Sequence, residues 1–243
     1  GLIITPTEMI KNQVNNNLTA IVVAAGVGSR MGDKSPKQYK KIGTKTMLEL
    51  SIYALLAEPR ITRVIVVVSP SDMLAQSLNF DNDAVTVARV GGLTRASSVQ
   101  NGLSYAAFTS NDWVLVHDAA RPCLLASDVS KLIDTCIEND KGGLLAVRVN
   151  DTLKKESNNG TASHTVPRDG LWAAQTPQMF KAFDLIDALE KAGESVTDEA
   201  SAMEKAGDSP LLVEGTETNI KVTRPTDLWL AEAILDKRNK GLK

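Results

Sequence analysis

Cysteine, histidine and aromatic side chains are scarce in this sequence. Its 243 residues hold two cysteines and two histidines, and aromatics make up 4%. Cys123 and Cys136 are too few and too plainly spaced for a disulfide framework or a CxxC metal site, so both are expected to be reduced. Long apolar runs are missing too: Val64-Ile65-Val66-Val67-Val68 is strand-sized, far short of the roughly 20 residues of a membrane span. The N-terminus has no cationic region followed by an apolar block and a small-residue cleavage site, which leaves a cytoplasmic location as the expectation. Charge of one sign is also lacking. Twenty-seven Lys and Arg face 29 Asp and Glu, a net charge of −2, so no polybasic field holds the chain to nucleic acid or an anionic membrane.

What charge there is has been concentrated. Between Ala24 and Gly43, the cations Arg30, Lys34, Lys37, Lys40 and Lys41 face one anion, Asp33, making this segment +4 and the remainder −6. Such a run is either a solvated basic loop or a site for a small polyanion.

The remaining pattern alternates strand and helix. The run Ala20-Ile21-Val22-Val23-Ala24 ends in a glycine-rich turn, and Leu48, Ile52, Leu55 and Leu56 give Thr46 to Glu58 helical spacing up to Pro59. Arg63–Ser69, Ala84–Val90, Trp113–Asp118 and Leu211–Glu214 read as strands. Helices are expected from Thr94 to Phe108, after a cap at Ser127, from Lys181 to Gly193, from Asp198 to Gly207 and from Pro225 to Asp236. Strands buried on both faces and separated by helices imply an α/β fold with a mostly parallel, Rossmann-like sheet flanked by helices. Residues 1–19 show little pattern and read as an extension before one domain covering 20–243. From about 150 to 170 the alternation breaks into a weak hairpin turning through Asn158-Asn159-Gly160, a projecting arm. A two-stranded ribbon is barely stable alone, so a second subunit is expected against it, making a homodimer. Trp113 and Trp229 fit core positions, and Trp172 fits an interface.

In an open parallel sheet, ligands bind beyond the carboxyl ends of the strands. The segment Ala24-Ala25-Gly26-Val27-Gly28-Ser29-Arg30-Met31-Gly32 falls there, and its small residues let backbone N–H groups approach phosphates. A dinucleotide fold would open a helix at these glycines and place an acid at the end of the second strand. Here Pro36 interrupts the segment, the second strand ends in Ser69-Pro70, and no GxxxxGK[ST] string exists. A hydride-transfer enzyme and a P-loop ATPase therefore fit poorly.

The string Ala24-Ala25-Gly26-x-Gly28-x-Arg30-Met31, with Pro36-Lys37-Gln38-Tyr39, resembles the signature loop of nucleotidyltransferases that build activated sugars and polyols. Val114-Leu115-Val116-His117-Asp118-Ala119-Ala120-Arg121-Pro122 resembles the cytidylyltransferases among them. Gly91-Gly92 with Arg95 and Ser98, Asn150-Asp151-Thr152, Gln175-Thr176-Pro177-Gln178, Thr197-Asp198-Glu199-Ala200 and Asn219-Ile220-Lys221-Val222-Thr223 complete a likeness to the 2-C-methyl-D-erythritol 4-phosphate cytidylyltransferase family. The resemblance runs from about Ala20 to Leu235 and implies the nucleotide-diphospho-sugar transferase type of fold.

It also implies a CTP-using reaction in which Arg30 and Lys37 stabilise the triphosphate, while Lys221 and Arg168 hold the incoming sugar phosphate. Asp118 would face Mg²⁺. Ala24, Ala25, Gly26, Gly28, Gly92, Ser98, Asp118 and Ala119 would surround the nucleotide, and Thr152, Thr176 and Thr197 the second substrate. Thr152 and Arg168, on the arm, would serve the partner's site. Plainer readings exist beside these: Asp118 also suits a helix cap or a partner for Arg121, His117 a structural side chain, His164 an exposed arm residue, and Lys34, Lys40 and Lys41 solvated steering charges. Leu93 departs from the family, which often carries a polar residue there. Other activities consistent with the chain are ribitol 5-phosphate cytidylyl transfer and non-catalytic nucleotide binding.

Overall fold

The computed structural model describes residues 2–26, 36–78 and 80–241. Chain order begins with α1 (Pro6–Asn15) and β1 (Leu18–Ala24), followed by the two-residue strands β2 (Lys41–Ile42) and β3 (Lys45–Thr46). The helix α1 was not anticipated. Thr5 and Glu8 form a capping box with Pro6 in the first turn, a local signal that stands out even though the helix buries no residue. β1 also starts two residues earlier than the apolar alternation suggested, since Leu18 and Thr19 are both buried.

Next come α2 (Met47–Leu56), β4 (Ile61–Val68), β5 (Val85–Ala88), α3 (Arg95–Ala106) and β6 (Trp113–Asp118). Thr46 caps α2 and Thr94 caps α3, each through a capping box. The expected cap at Ser127 is not used: α4 (Ala126–Glu138) begins after Leu125, which offers no side-chain hydrogen bond. The apolar face of α4 is enough to dock it, because Val129, Leu132 and Ile133 are fully buried.

β7 (Gly143–Arg148) leads to the hairpin β8 (Leu153–Glu156) and β9 (Ala162–Val166), a separate two-stranded sheet whose residues are almost all exposed. Gly160 takes φ +78° in its turn, which a side chain would strain. The chain returns through β10 (Trp172–Lys181), α5 (Ala182–Ala192), α6 (Glu199–Lys205), β11 (Leu211–Glu214) and α7 (Pro225–Asn239). Asn219 to Val222 forms no strand, and Trp229 is 68% exposed on α7 rather than in the core, because that helix buries only Ala231.

The main sheet has seven strands in the order β11-β7-β10-β6-β1-β4-β5. All neighbours are parallel except β10, which runs against both β6 and β7. Successive residues of β1 serve opposite faces. Leu18, Ala20, Val22 and Ala24 pack with residues of α2 and α4, whereas Ile21 packs with residues of α3, α5 and α6. From β1 the chain runs outward to β4 and β5, then crosses back to β6 on the other flank. That reversal opens a crevice at the carboxyl ends of β1 and β6.

Candidate active site

The crevice is framed by backbone that approaches closely. A Cβ at Gly91 would lie 2.6 Å from the Ala25 Cβ and 2.8 Å from the Val68 carbonyl oxygen, so only glycine fits between the β1 loop and the end of β4. The neighbouring Gly92 N–H donates to the buried Ser98 hydroxyl at 3.0 Å, which fixes the turn into α3. Gln38, also buried, donates to the carbonyls of Ala24 (2.9 Å) and Gly26 (3.2 Å). It thereby ties the turn carrying Lys37 to the glycine segment. Tyr39 adds a 2.5 Å hydrogen bond to Asp72, whose other oxygen accepts from the N–H groups of Leu74 and Ala75. A cavity of about 230 Å³ lies between Ala25, Gly26, Pro36 and Gln38 on one side and Ser69 to Leu74 on the other.

Across the crevice, Asp118 ends β6. Its backbone N–H donates to the Thr176 hydroxyl at 3.0 Å, and that hydroxyl meets His117 Nδ1 at 2.8 Å. His117 is fully buried with its other nitrogen 3.2 Å from the Arg121 carbonyl, and burial pushes its pKa down to about 4. It is a neutral structural side chain, held on both sides. The carboxylate of Asp118 meets three cations. Arg95 donates to Oδ1 from Nε (3.1 Å) and Nη2 (2.9 Å), while Lys221 Nζ and Arg121 Nε stand 3.6 and 3.9 Å from Oδ2. Burial alone would raise the Asp118 pKa, but Arg95, Lys221 and Arg121 outweigh it and hold the group well below the usual carboxylate range.

Arg95 also holds a second carboxylate, Glu199, with Nη1–Oε1 at 2.6 Å and Nη2–Oε2 at 3.2 Å. Glu199 opens α6, which β10 anchors: Gln178 donates to Asp198 at 3.0 Å and accepts from the Ala200 N–H at 2.9 Å. Arg121 donates to the Asn219 carbonyl at 2.7 Å, and Asn219 donates to the Thr176 carbonyl at 2.9 Å. These bonds bring the segment after β11, and with it Lys221, against the end of β6.

Asp118, Thr176, Thr197 and Lys221 line one cavity of about 180 Å³, together with Arg95 and Arg121. The structure thus gathers four residues spaced over more than 100 positions. Ala24 ends β1 and Ala119 follows β6, both buried and neither lining this cavity; the Ala119 N–H donates to the Val23 carbonyl and its own carbonyl accepts from Ser51. Arg168 is not in this group. It lines a different cavity at the base of the arm, donates to the Asn150 carbonyl and is exposed, as is Thr152. His164 is exposed on the arm beside Ser163. Lys37 sits in a half-buried 3₁₀ turn, Lys37–Tyr39. Gly28 and Arg30, like Lys34, fall outside the described residues. Arg95, Arg121 and Glu199 were absent from the expected site. All three belong to the strings that carry the family resemblance, which is the signal that flags them.

Residues 18–237 match the profile of the 2-C-methyl-D-erythritol 4-phosphate cytidylyltransferase (IspD) family. The chain belongs to that family. The 2-C-methyl-D-erythritol 4-phosphate cytidylyltransferase of Laribacter hongkongensis is 50% identical over 224 residues, covering 91% of this chain and 97% of that protein. The bifunctional enzyme IspD/IspF of Albidiferax ferrireducens is 46% identical over 241 residues, which is 98% of this chain and 57% of the longer protein. The crystal structure of the Francisella tularensis cytidylyltransferase aligns with a TM-score of 0.78 at 34% identity, over 90% of this chain and 99% of that one. The mostly parallel sheet flanked by helices is therefore a shared fold. Among the described residues, no helix is long and apolar enough to cross a membrane.

Among the described residues, no three His, Cys, Asp or Glu side chains converge as a metal centre. Mg²⁺ seldom needs one, since it takes one or two carboxylates and completes its shell with substrate phosphates and water. Asp118 fits that demand. Among the described residues its Oδ2 has only two long contacts, to Lys221 and Arg121, and because both are cations a metal there would depend on the substrate phosphates to offset their charge.

Proposed function

We propose that this chain transfers CMP from CTP to 2-C-methyl-D-erythritol 4-phosphate, giving 4-diphosphocytidyl-2-C-methyl-D-erythritol and pyrophosphate in isoprenoid precursor synthesis. One observation carries the reading in a chain of this family: Arg95, Arg121 and Lys221 converge on the single carboxylate of Asp118 at the switch point of the sheet. Such a site suits the meeting of two phosphate-bearing molecules.

An oxygen of the substrate phosphate attacks the α-phosphorus of CTP, the bond to the β-phosphate breaks, and pyrophosphate leaves with the electron pair. A phosphate monoester is already charged about −1.5 to −2 at neutral pH, so the attacking oxygen needs no base. The neutral, fully bonded His117 agrees with that. The barrier is electrostatic, and fixed cations lower it. Arg30 and Lys37 stabilise the triphosphate and its developing charge, and Lys221 with Arg168 holds the second phosphate. Ala24, Ala25, Gly26, Gly28, Gly92, Ser98 and Ala119 shape the nucleotide side, and Thr152, Thr176 and Thr197 the sugar side. Asp118 would hold Mg²⁺, which when bound neutralises phosphate charge.

The arm reaches the partner in a homodimer, so that Thr152 and Arg168 complete the neighbouring site. Support comes from the separateness of the Arg168 cavity and the Lys221 cavity within one chain, which share no lining residue. A cytoplasmic location agrees with two buried, unpaired thiols in Cys123 and Cys136. The test is pyrophosphate release from CTP and Mg²⁺, with methylerythritol phosphate and ribitol 5-phosphate offered separately. Turnover is expected with the first; none with it, or a preference for ribitol phosphate, refutes the assignment.

A further inference from the structure

Glu199 is the most deeply buried charge of the cluster, 1% exposed, and it does not line the substrate cavity. It cannot touch a ligand there. A buried ion pair is also weak evidence of stabilisation, since a well-packed apolar pair often serves as well. What Glu199 does is visible in the geometry of Arg95. Both of its oxygens accept from the guanidinium, which occupies Nη1 and part of Nη2 and leaves Nε and the rest of Nη2 for Asp118. With its plane held in this way, Arg95 bonds Asp118 through Oδ1 alone.

We propose, building on the transfer reaction argued above, that Glu199 is a positioning residue: by gripping Arg95 it confines that arginine to Asp118 Oδ1 and keeps Oδ2 turned toward Lys221 and the substrate cavity. Three further features fit this role. Gln178 clamps the first turn of α6 from β10, so Glu199 is itself held from behind. Thr94 caps α3 directly before Arg95, fixing the other end of the pair. The charges also balance usefully. Arg95, Arg121 and Lys221 against Asp118 and Glu199 leave one net positive charge, whereas without Glu199 three cations would crowd one carboxylate.

Glu199→Gln keeps the size but turns an amide N–H₂ toward the guanidinium, so Arg95 is released to swing onto both oxygens of Asp118. Small displacements of catalytic groups can cost up to ~100-fold, and we expect kcat for pyrophosphate release to fall ~10- to 100-fold with little change in either KM. In an Arg95→Met background the same substitution should change kcat less than ~2-fold, because its path runs through Arg95. A crystal structure of Glu199→Gln should show Arg95 within hydrogen-bond distance of Asp118 Oδ2. If Glu199→Gln does not fold, Arg95→Lys decides the matter: it keeps the charge but loses the fork, and a folded protein with a comparable kcat loss is expected. Wild-type kcat in a folded variant, additive losses in the double variant, or an unmoved Arg95 in the crystal overturns the proposal. Absence of turnover in the wild-type chain would instead strike the transfer reaction itself, and the crystallographic comparison would still test the positioning.

Discussion

Asp118 and Arg168 are both proposed to serve the substrate phosphates, and the chain surrounds them in opposite ways. Asp118 sits at the end of a fully buried strand, with Arg95, Arg121 and Lys221 around its carboxylate and Thr176 on its backbone. Arg168 lies at the foot of an exposed ribbon, bonded to the Asn150 carbonyl where the chain enters the first strand of the ribbon. The first arrangement is complete within one chain. The second stiffens the arm's base while leaving the ribbon's faces to meet something else. A site built from both halves would divide its labour: electrostatics preset in the core, and the last contacts delivered on assembly.

The largest test of that division combines two lesions. Lys37→Ala removes a cation expected at the triphosphate and should lower kcat by ~100-fold or more, as losses of such fixed charges do. It should leave the thermal midpoint nearly unchanged, because Gln38 rather than Lys37 ties this short turn to the glycine segment. Arg168→Ala should be similarly inactive. Mixed in equal amounts with subunit exchange demonstrated, the two variants should recover roughly a quarter of wild-type activity, since half of the dimers of a symmetric pair are mixed and each carries one intact site. No recovery despite exchange would remove the arm from the partner's site, and near-normal kcat for Lys37→Ala would remove that lysine from the chemistry.

The core half can be challenged through stability and pH. Asp118→Asn strips the carboxylate from Arg121 and Lys221 and weakens the hold of Arg95, and breaking a buried pair typically costs about 3 kcal/mol or more, measurable by urea denaturation. The pH dependence has a defined sign. The folded-state pKa of Asp118 is depressed, so its contribution is present above the unfolded value near ~4 and is lost as pH falls through the folded value. Glu199 runs the other way: burial raises its pKa against the pull of Arg95, so its contribution is full below the unfolded value and declines as pH rises through the folded one. Asp118→Asn should therefore flatten the loss of stability below about pH 4. A wild-type acid limb in that variant would mean that Asp118 is not charged in the folded state.

The sequence carried these two halves unequally. Apolar period and caps were enough for β6, α2 and α3, where Trp113 to Asp118 are all buried and Thr46 and Thr94 begin helices. β10 carries no apolar pattern because its buried middle is polar: Gln175, Thr176 and Gln178 bond neighbouring elements. β7 was hidden behind Gly142-Gly143, which packs against Phe180 and Leu211 instead of making a turn. For the site, residue types were visible in the family strings, yet pairing was not. Arg95 and Glu199 are 104 positions apart, and only the docking of α6 on β10 brings them within 2.6 Å. The arm announced itself as a break in the pattern, since an exposed ribbon has no core to impose one.

The finest contrast concerns nucleotide placement against chemistry. Ser98 was expected at the nucleotide, but its hydroxyl is buried and already engaged, accepting from the Gly92 N–H at 3.0 Å and donating to the Gly92 carbonyl at 3.5 Å. Its effect on CTP must therefore pass through the shape of the Gly91-Gly92 turn. That turn is also pinned by the tight fit of Gly91 against Ala25 and Val68, and by the bond from the Gly91 N–H to the Val68 carbonyl at 2.9 Å. Ser98→Ala removes one of several restraints, worth about 1 kcal/mol for a neutral hydrogen bond, or roughly 5-fold in an equilibrium. KM for CTP should rise by about that factor, with kcat and the KM for methylerythritol phosphate unchanged. A loss in kcat instead would place the Gly92 turn among the groups that act on the transferring phosphorus, and would make the nucleotide loop part of the same preset electrostatic half as Asp118.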